Sequence, residues 1–284
     1  MTTSAGVTVM DLAGERTPVP TLLRDVWRSR DLSVTLAAQD YRSRYRSASL
    51  GLLWSVLMPL VQGTVIAVVF SNLIGGGQAR AYVPYVLVGV MTYGYLSSSI
   101  TTASTSIVDS AAIAGRIYFP RLLLPMIAPS ANLPALLISL AVAELVVLAA
   151  GNGVHPELLL LPVAVVVAWA FVTLVGALLT MLHVYSRDVR YLVQAALMAL
   201  FYGTPIIYML EAPGGGGQAL PDALVPFVVG NPLTGIVQLV RLCLTGEAAY
   251  VGPALAVTAG WLVVLAVAVP VVYSRQERVA CDRL

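Results

Sequence analysis

Apolar residues in this chain gather into six runs, at roughly 52–74, 82–105, 122–149, 157–184, 191–210 and 250–273. About 20 consecutive apolar residues, at about 1.5 Å each, carry a helix across the hydrocarbon core of a bilayer. Each run meets that length. Gly- and Pro-rich punctuation separates several of them: GGGQAR (75–80), AAGNGVHP (149–156) and APGGGGQALP (212–221). The pattern predicts an all-α integral membrane protein with six transmembrane helices.

A seventh apolar stretch, ALVPFVVGNPLTGIVQLVRLCLTG (223–246), is broken by Pro226, Gly230 and Pro232. The pieces on either side of Gly230-Asn231-Pro232 are each too short to cross. Two readings fit: a re-entrant pair of half-helices in the outer leaflet, which must be buried in protein or line a wet cavity, or an amphipathic hairpin on the outer surface. The re-entrant reading extends over 221–247.

Polar positions orient the spans. All sixteen basic residues are arginine. Arg16, Arg24, Arg28, Arg30, Arg42, Arg44 and Arg46 precede the first run, Arg116 and Arg121 follow the second, Arg187 and Arg190 follow the fourth, and Arg275, Arg278 and Arg283 follow the sixth. Only Arg80 and Arg241 fall in the alternate loops. The positive-inside rule then puts both termini in the cytoplasm. The expected organisation is a flexible tail (1–20), a basic interface segment (21–50), a transmembrane domain (51–274) and a cytoplasmic tail (275–284). No signal peptide is expected, because the first twenty residues lack a continuous apolar segment.

Composition sharpens this reading. Hydrophobic residues make up 58% and charged residues 11%, too few charges to solvate an ordinary soluble fold or a disordered chain. Without lysine the chain has no Walker A site and no Schiff-base chemistry. Cys243 and Cys281 form no metal or haem motif, and the topology sets them on opposite sides of the membrane. The two histidines, His155 and His183, lack metal-ligand spacing. No internal repeat appears, against an inverted-repeat transporter.

In TLLRDVWRSRD (21–31), Leu22, Leu23, Val26 and Trp27 share one helical face. An interfacial helix on the inner leaflet and a helix packed on a partner's surface both fit. Arg42, Arg44 and Arg46 stand before the first run, with Tyr41 and Tyr45 beside them. They serve either as anchors to anionic lipid or as a receiving site for an anionic headgroup, which the arginine fork suits. The second run carries Tyr93 and Tyr95 and a dense series of hydroxyls from Ser97 to Ser106, including Thr101. Helix packing and a route for a polar substrate both explain them. IVDSAAIAGRIYFPRLLLP (107–125) is either an ordinary loop or a short amphipathic handle, Pro120 ending any helix within it. Glu144 is the one acid well inside a predicted span, suited to snorkelling, helix pairing or function. A membrane-embedded glycosyl or acyl transferase would need clustered acids or histidines at one interface, where only Asp109 and Asp188 qualify.

Six motifs in order carry a resemblance: the basic amphipathic N-terminus, RYRSASLGLLWSVLMPL (44–60), AGRIYFPRLLLP (114–125), YSRDVRYLVQ (185–194), GTPIIY (203–208) and GNPLTGIVQLVR (230–241). Over about residues 22–275 the chain resembles the membrane subunit of ABC-2-type polysaccharide exporters, the Wzm or teichoic-acid permease group. Where that group often carries lysine in the basic segments, this chain has arginine or neutral residues. The resemblance implies a pore formed with a second copy of the chain, in a bacterial plasma membrane, above two separate ATPase subunits. Those subunits bind ATP and Mg, so this chain binds no cofactor, is not itself an enzyme and has no nucleic-acid partner. Over 107–121, Ile113, Arg116, Ile117, Phe119, Pro120 and Arg121 would couple to the ATPase. Tyr41, Arg42, Arg44, Tyr45 and Arg46 would receive the substrate; Trp54, Tyr93, Tyr95, Ser97 and Thr101 would line its path. Gly230, Asn231 and Pro232 would form an outer gate. The cargo would be a lipid-diphosphate-linked glycan of the cell-wall galactan, O-antigen or teichoic-acid type. A drug or lipid exporter is the alternative within the class.

Overall fold

The computed structural model describes residues 19–45, 53–74, 79–110, 121–210, 221 and 223–282, without the side chains of Leu23, Arg44, Tyr45, Ser55, 71–81 and 276–282. The described residues are helical, with no strand among them. The helices are α1 (Val19–Arg28), α2 (Arg30–Tyr45), α3 (Leu53–Ile74), α4 (Ala79–Asp109), α5 (Leu124–Ala149), α6 (Leu161–Tyr185), α7 (Val189–Gly203), α8 (Val225–Val229), α9 (Pro232–Thr245) and α10 (Val251–Asp282). Short 3-10 turns, Arg121–Leu123 and Pro156–Leu160, lead into α5 and α6.

Among the described residues, three continuous helical stretches are long and apolar enough to cross a membrane: Arg121–Ala149, Pro156–Tyr185 and Val251–Arg275. Their outward surfaces are aliphatic, with Leu145, Val166 and Val264 all exposed, as a helix facing lipid requires. The chain is therefore an integral membrane protein. Among the shorter apolar helices, α7 departs most from the sequence expectation. The run 191–210 is helical only to Gly203, because Pro205 forces the preceding Thr204 into extended backbone (φ −105°, ψ 139°). The 15 residues of α7 rise about 22 Å, short of the roughly 30 Å hydrocarbon thickness. Residues 204–210 continue as non-helical chain.

α4 is the centre of the bundle, packed by α3, α5, α6, α7 and α9. Small residues allow close approaches: a Cβ on Gly176 of α6 would collide with the Cβ of Ala103 on α4. One satellite core joins Leu22 of α1, Ile107 at the end of α4, Leu122 and Leu124 entering α5, Met181 near the end of α6 and Tyr273 late in α10. These are the ends the arginines mark. The Tyr273 hydroxyl donates to the Ala177 carbonyl at 3.1 Å and closes that end. At the other end α9 packs against the Pro156–Leu160 turn and the first half of α4. α4, α6 and α10 thus run toward the arginine-rich end and α5 runs away from it.

The N-terminal segment forms two helices rather than one. α1 buries Leu22 in the satellite core, whereas Trp27 is 69% exposed, with the Arg30 guanidinium 5.1 Å from its ring centroid. α2 packs along α5 through Ser33 and Ala37.

Candidate functional site

Along α4 the hydroxyl-rich face divides in two. Gly94, Ser97, Ser98, Thr101 and Thr102, spaced three and four residues apart, form one partly exposed stripe. Their neighbours Ser99, Ser104 and Thr105 are buried. Each stripe hydroxyl with a described bond uses its own helix: Ser97 Oγ donates to Gly94 O at 3.3 Å, Ser98 Oγ to Tyr95 O at 3.2 Å and Thr102 Oγ1 to Ser98 O at 2.9 Å. Such back-bonding satisfies the donor and leaves oxygen lone pairs available to a passing hydroxyl. The buried hydroxyl Ser99 instead accepts from Asn132 Nδ2 of α5 at 3.0 Å. Thr180 Oγ1 of α6 accepts from the Ile107 N–H at 3.2 Å. Both sequence readings of this segment therefore apply, each to a different face.

Ser97 and Thr101 lie on the stripe; Tyr93 and Tyr95 do not. Each tyrosine is 5% exposed. The Tyr93 hydroxyl donates to the Leu197 carbonyl of α7, and Tyr95 donates to Pro129 O of α5 at 3.3 Å. They hold α4 to its neighbours from behind the stripe. Trp54 is 43% exposed near the start of α3, and α3 runs antiparallel to α4 with Gly63 against Leu87 and Gly94 against Pro59. That register brings Trp54 level with the Ser97–Thr101 turn.

The far end is built around an arginine. Arg241 of α9 is 1% exposed. Its Nη1 donates to Gln238 Oε1 at 2.6 Å, and its Nη2 to Pro205 O at 3.0 Å and Tyr85 O at 3.2 Å. The guanidinium carbon stands 3.4 Å from the Tyr85 ring centroid, a cation–π contact. Beyond Gly203, the non-helical residues 204–208, TPIIY, need such donors because their carbonyls have no helical partner. Tyr82 OH donates to Ile207 O at 2.5 Å and Tyr85 OH to Tyr208 O at 2.8 Å. Asn231 caps α9 by accepting from the Leu233 N–H at 3.0 Å, while its Nδ2 donates to Thr204 Oγ1 at 2.9 Å. Of the three expected gate residues, Asn231 is thus buried and tied down, Pro232 opens a buried helix, and Gly230 is exposed at the hinge to α8. On α8, Phe227 is 78% exposed.

At the arginine-rich end, Arg42 is exposed and Tyr41 half-buried on α2. Arg44 and Tyr45 end that helix, their side chains outside the description, and Arg46 lies outside the described residues. Arg121 opens the turn into α5. The rest of the expected coupling set, Ile113, Arg116, Ile117, Phe119 and Pro120, lies outside the described residues. Glu144 is half-buried toward the far end of α5.

The molecule is thus a helical membrane bundle with an aliphatic belt, a polar stripe along its central helix and a buried cation at one end. The family described as ABC-2 type transporter matches residues 32–214, and the chain belongs to that family. It is 26% identical over 212 residues to an O-antigen export system permease protein RfbA of Myxococcus xanthus, covering 73% of this chain and 80% of the relative. It is 26% identical over 210 residues to an RfbA permease of Klebsiella pneumoniae, covering 73% and 77%. A second Klebsiella pneumoniae RfbA protein is 24% identical over the same length.

Sequence reasoning treated Arg241 only as an exception to the charge count. The signal was present, since Thr234, Gln238 and Arg241 fall at i, i+4 and i+7 and so share one polar face of an otherwise apolar helix. Ser98 and Thr102 followed from the i, i+3, i+4 spacing once Ser97 and Thr101 had been chosen.

Proposed function

We propose that this chain is the membrane subunit of an ATP-driven exporter of a lipid-diphosphate-linked polysaccharide, in a bacterial plasma membrane with both termini cytoplasmic. The likeness to O-antigen export permeases over 73% of the chain carries the reading. The stripe on α4 supports it, because a run of hydroxyl oxygens suits a polyhydroxylated cargo better than a greasy one. Two copies of the chain enclose the route. Each presents Ser97, Ser98, Thr101 and Thr102 to the glycan, with Trp54 at the same level offering a face for stacking on sugar rings.

The drive comes from elsewhere. A chain without lysine cannot hold ATP in a P-loop, so two separate ATPase subunits, with their own ATP and Mg, supply the energy. They meet the segment around Ile113, Arg116, Ile117, Phe119, Pro120 and Arg121. Arg42, Arg44 and Arg46, with Tyr41 and Tyr45, receive the diphosphate at the cytoplasmic mouth, where the arginine fork matches phosphate oxygens. The outer gate divides into a fixed strut, α9, and a short exposed piece, α8, that swings at Gly230. The glycan is of the cell-wall galactan, O-antigen or teichoic-acid type.

The test is depletion of the chain in its own host. Surface polysaccharide should fall while lipid-linked glycan accumulates out of reach of a lectin added to intact cells. Unchanged surface glycan, with loss of export of a small amphiphile instead, would favour a drug or lipid exporter.

A further inference from the structure

Arg241 is a full charge in an apolar core, with no carboxylate paired to it among the described residues. It lies among Leu233, Ile236, Val237 and Leu244, all buried. The ion pair found among the described residues, Arg30 with Asp31, is on the surface far from it in sequence. Its acceptors are all neutral: one amide oxygen and two carbonyls. Nε is buried with no hydrogen-bond partner. Burying a guanidinium without a counter-charge is costly, and an aliphatic side chain would fill the same volume without that cost. The charge therefore serves direction rather than packing.

That direction is specific. Three pieces of chain meet at one guanidinium: α4 through Tyr85, the break after α7 through Pro205, and α9, which bears the arginine. Gln238 extends the unit, its Nε2 donating to Ala249 O at 3.0 Å just before α10. The guanidinium also has room made for it, since a Cβ on Gly89 would lie 3.0 Å from Nη2 and 3.2 Å from Ile206 Cγ2. Tyrosine hydroxyls hold the Ile207 and Tyr208 carbonyls and Asn231 holds that of Gly203, so among these described donors Arg241 is the one cation.

We propose that Arg241 is the positioning residue that seals the far end of the transport route, clamping the non-helical 204–208 segment between α4 and α9. This rests on the reading of the chain as a transport pore but not on the identity of the cargo. Neutral acceptors suit a clamp that must be undone in each cycle. Opening these charge-assisted bonds strands one charge, whereas separating a buried ion pair strands two.

The experiment is efflux of carboxyfluorescein from liposomes containing the full-length chain, without ATP and without glycan. Wild type should retain the dye. Arg241→Met should release it about tenfold faster or more, the population shift expected on losing charge-assisted hydrogen bonds. Arg241→Lys, which keeps the charge but not the fork, should fall between. Tyr85→Leu combined with Arg241→Met should leak no more than Arg241→Met alone, because both act on one clamp. Gly176→Val, which strains α4 against α6 nearer the arginine-rich end, controls for loss of stability and should stay tight. A well-inserted Arg241→Met protein that holds dye like wild type, or equal leakage from Gly176→Val, would overturn the proposal. If Arg241→Met does not accumulate in membranes, Gln238→Leu, which removes the Nη1 acceptor, makes the same comparison and must leak. No glycan enters the assay, so failure of the export reading in depleted cells leaves this result unchanged, and the reverse also holds.

Discussion

Hydroxyls on α4 that look alike in sequence do different work, and the difference is one of angle. Residues one apart on a helix are about 100° apart around it, so Ser98 faces outward while Ser99 meets Asn132. Replacing Ser97, Ser98, Thr101 and Thr102 together by alanine or valine should leave thermal stability nearly unchanged, because their described side-chain bonds stay within the helix. Glycan export should nevertheless fall sharply, read as surface polysaccharide at equal protein level. Tyr93→Phe should behave in the opposite way. It removes the donor to the Leu197 carbonyl and should lower stability by about 1 kcal/mol, with export of the folded fraction retained. At this scale the sequence revealed the polar segment but not its buried and open faces, because hydroxyl density carries no phase until the neighbours of α4 are known.

At the scale of elements, helices end where proline and capping chemistry dictate. Thr204-Pro205 stops α7 one turn or more before its apolar run ends. Hydropathy counted residues 204–210 as membrane-crossing because it registers side chains and ignores the missing helix. The broken stretch 223–246 was legible for the converse reason, since Gly230 and Pro232 interrupt it visibly. Asn231→Ala should cost about 1–2 kcal/mol, from the lost cap of α9 and the lost tie to Thr204, measured as a lower melting temperature of the full-length protein. Substituting Gly235 by leucine should be worse than the asparagine change, because a Cβ there already meets Thr258 and the Ala254 carbonyl on α10. For the coupling segment, Phe119→Ala combined with Arg121→Glu should release the ATPase partner in co-purification, with a loss of about 2 kcal/mol or more for a buried aromatic anchor. Retention of wild-type binding would remove this segment from the mechanism.

For the whole molecule, charge and packing point the same way. The helix ends that the arginine-rich segments adjoin in the sequence meet, among the described residues, in the satellite core of Leu22, Ile107, Met181 and Tyr273, although charge counting knows nothing of packing. A cysteine at Gly216, in a chain without Cys243 and Cys281, should label from outside intact cells, and one at Ser274 should not. Labelling at 274 would reverse the assigned orientation. Changing Arg42, Arg44 and Arg46 to glutamine should abolish export while insertion persists, whereas lipid anchors alone would be replaceable by the remaining arginines. The direction of the helices was readable from the chain because topology follows short-range rules of length and charge. The far-end clamp was not, because it joins residues 85, 205 and 241, which only folding brings together.

The central claim is that a glycan travels along the α4 stripe, and site-specific photocrosslinking during active export tests it most directly. A photoreactive residue at Thr101 should form an adduct carrying both glycan and lipid carrier, dependent on the ATPase partner. The same residue at Leu145, exposed on the aliphatic outer surface of α5, should capture phospholipid alone. Glycan adducts equal at the two positions, or absent at Thr101 while export proceeds, would contradict the account.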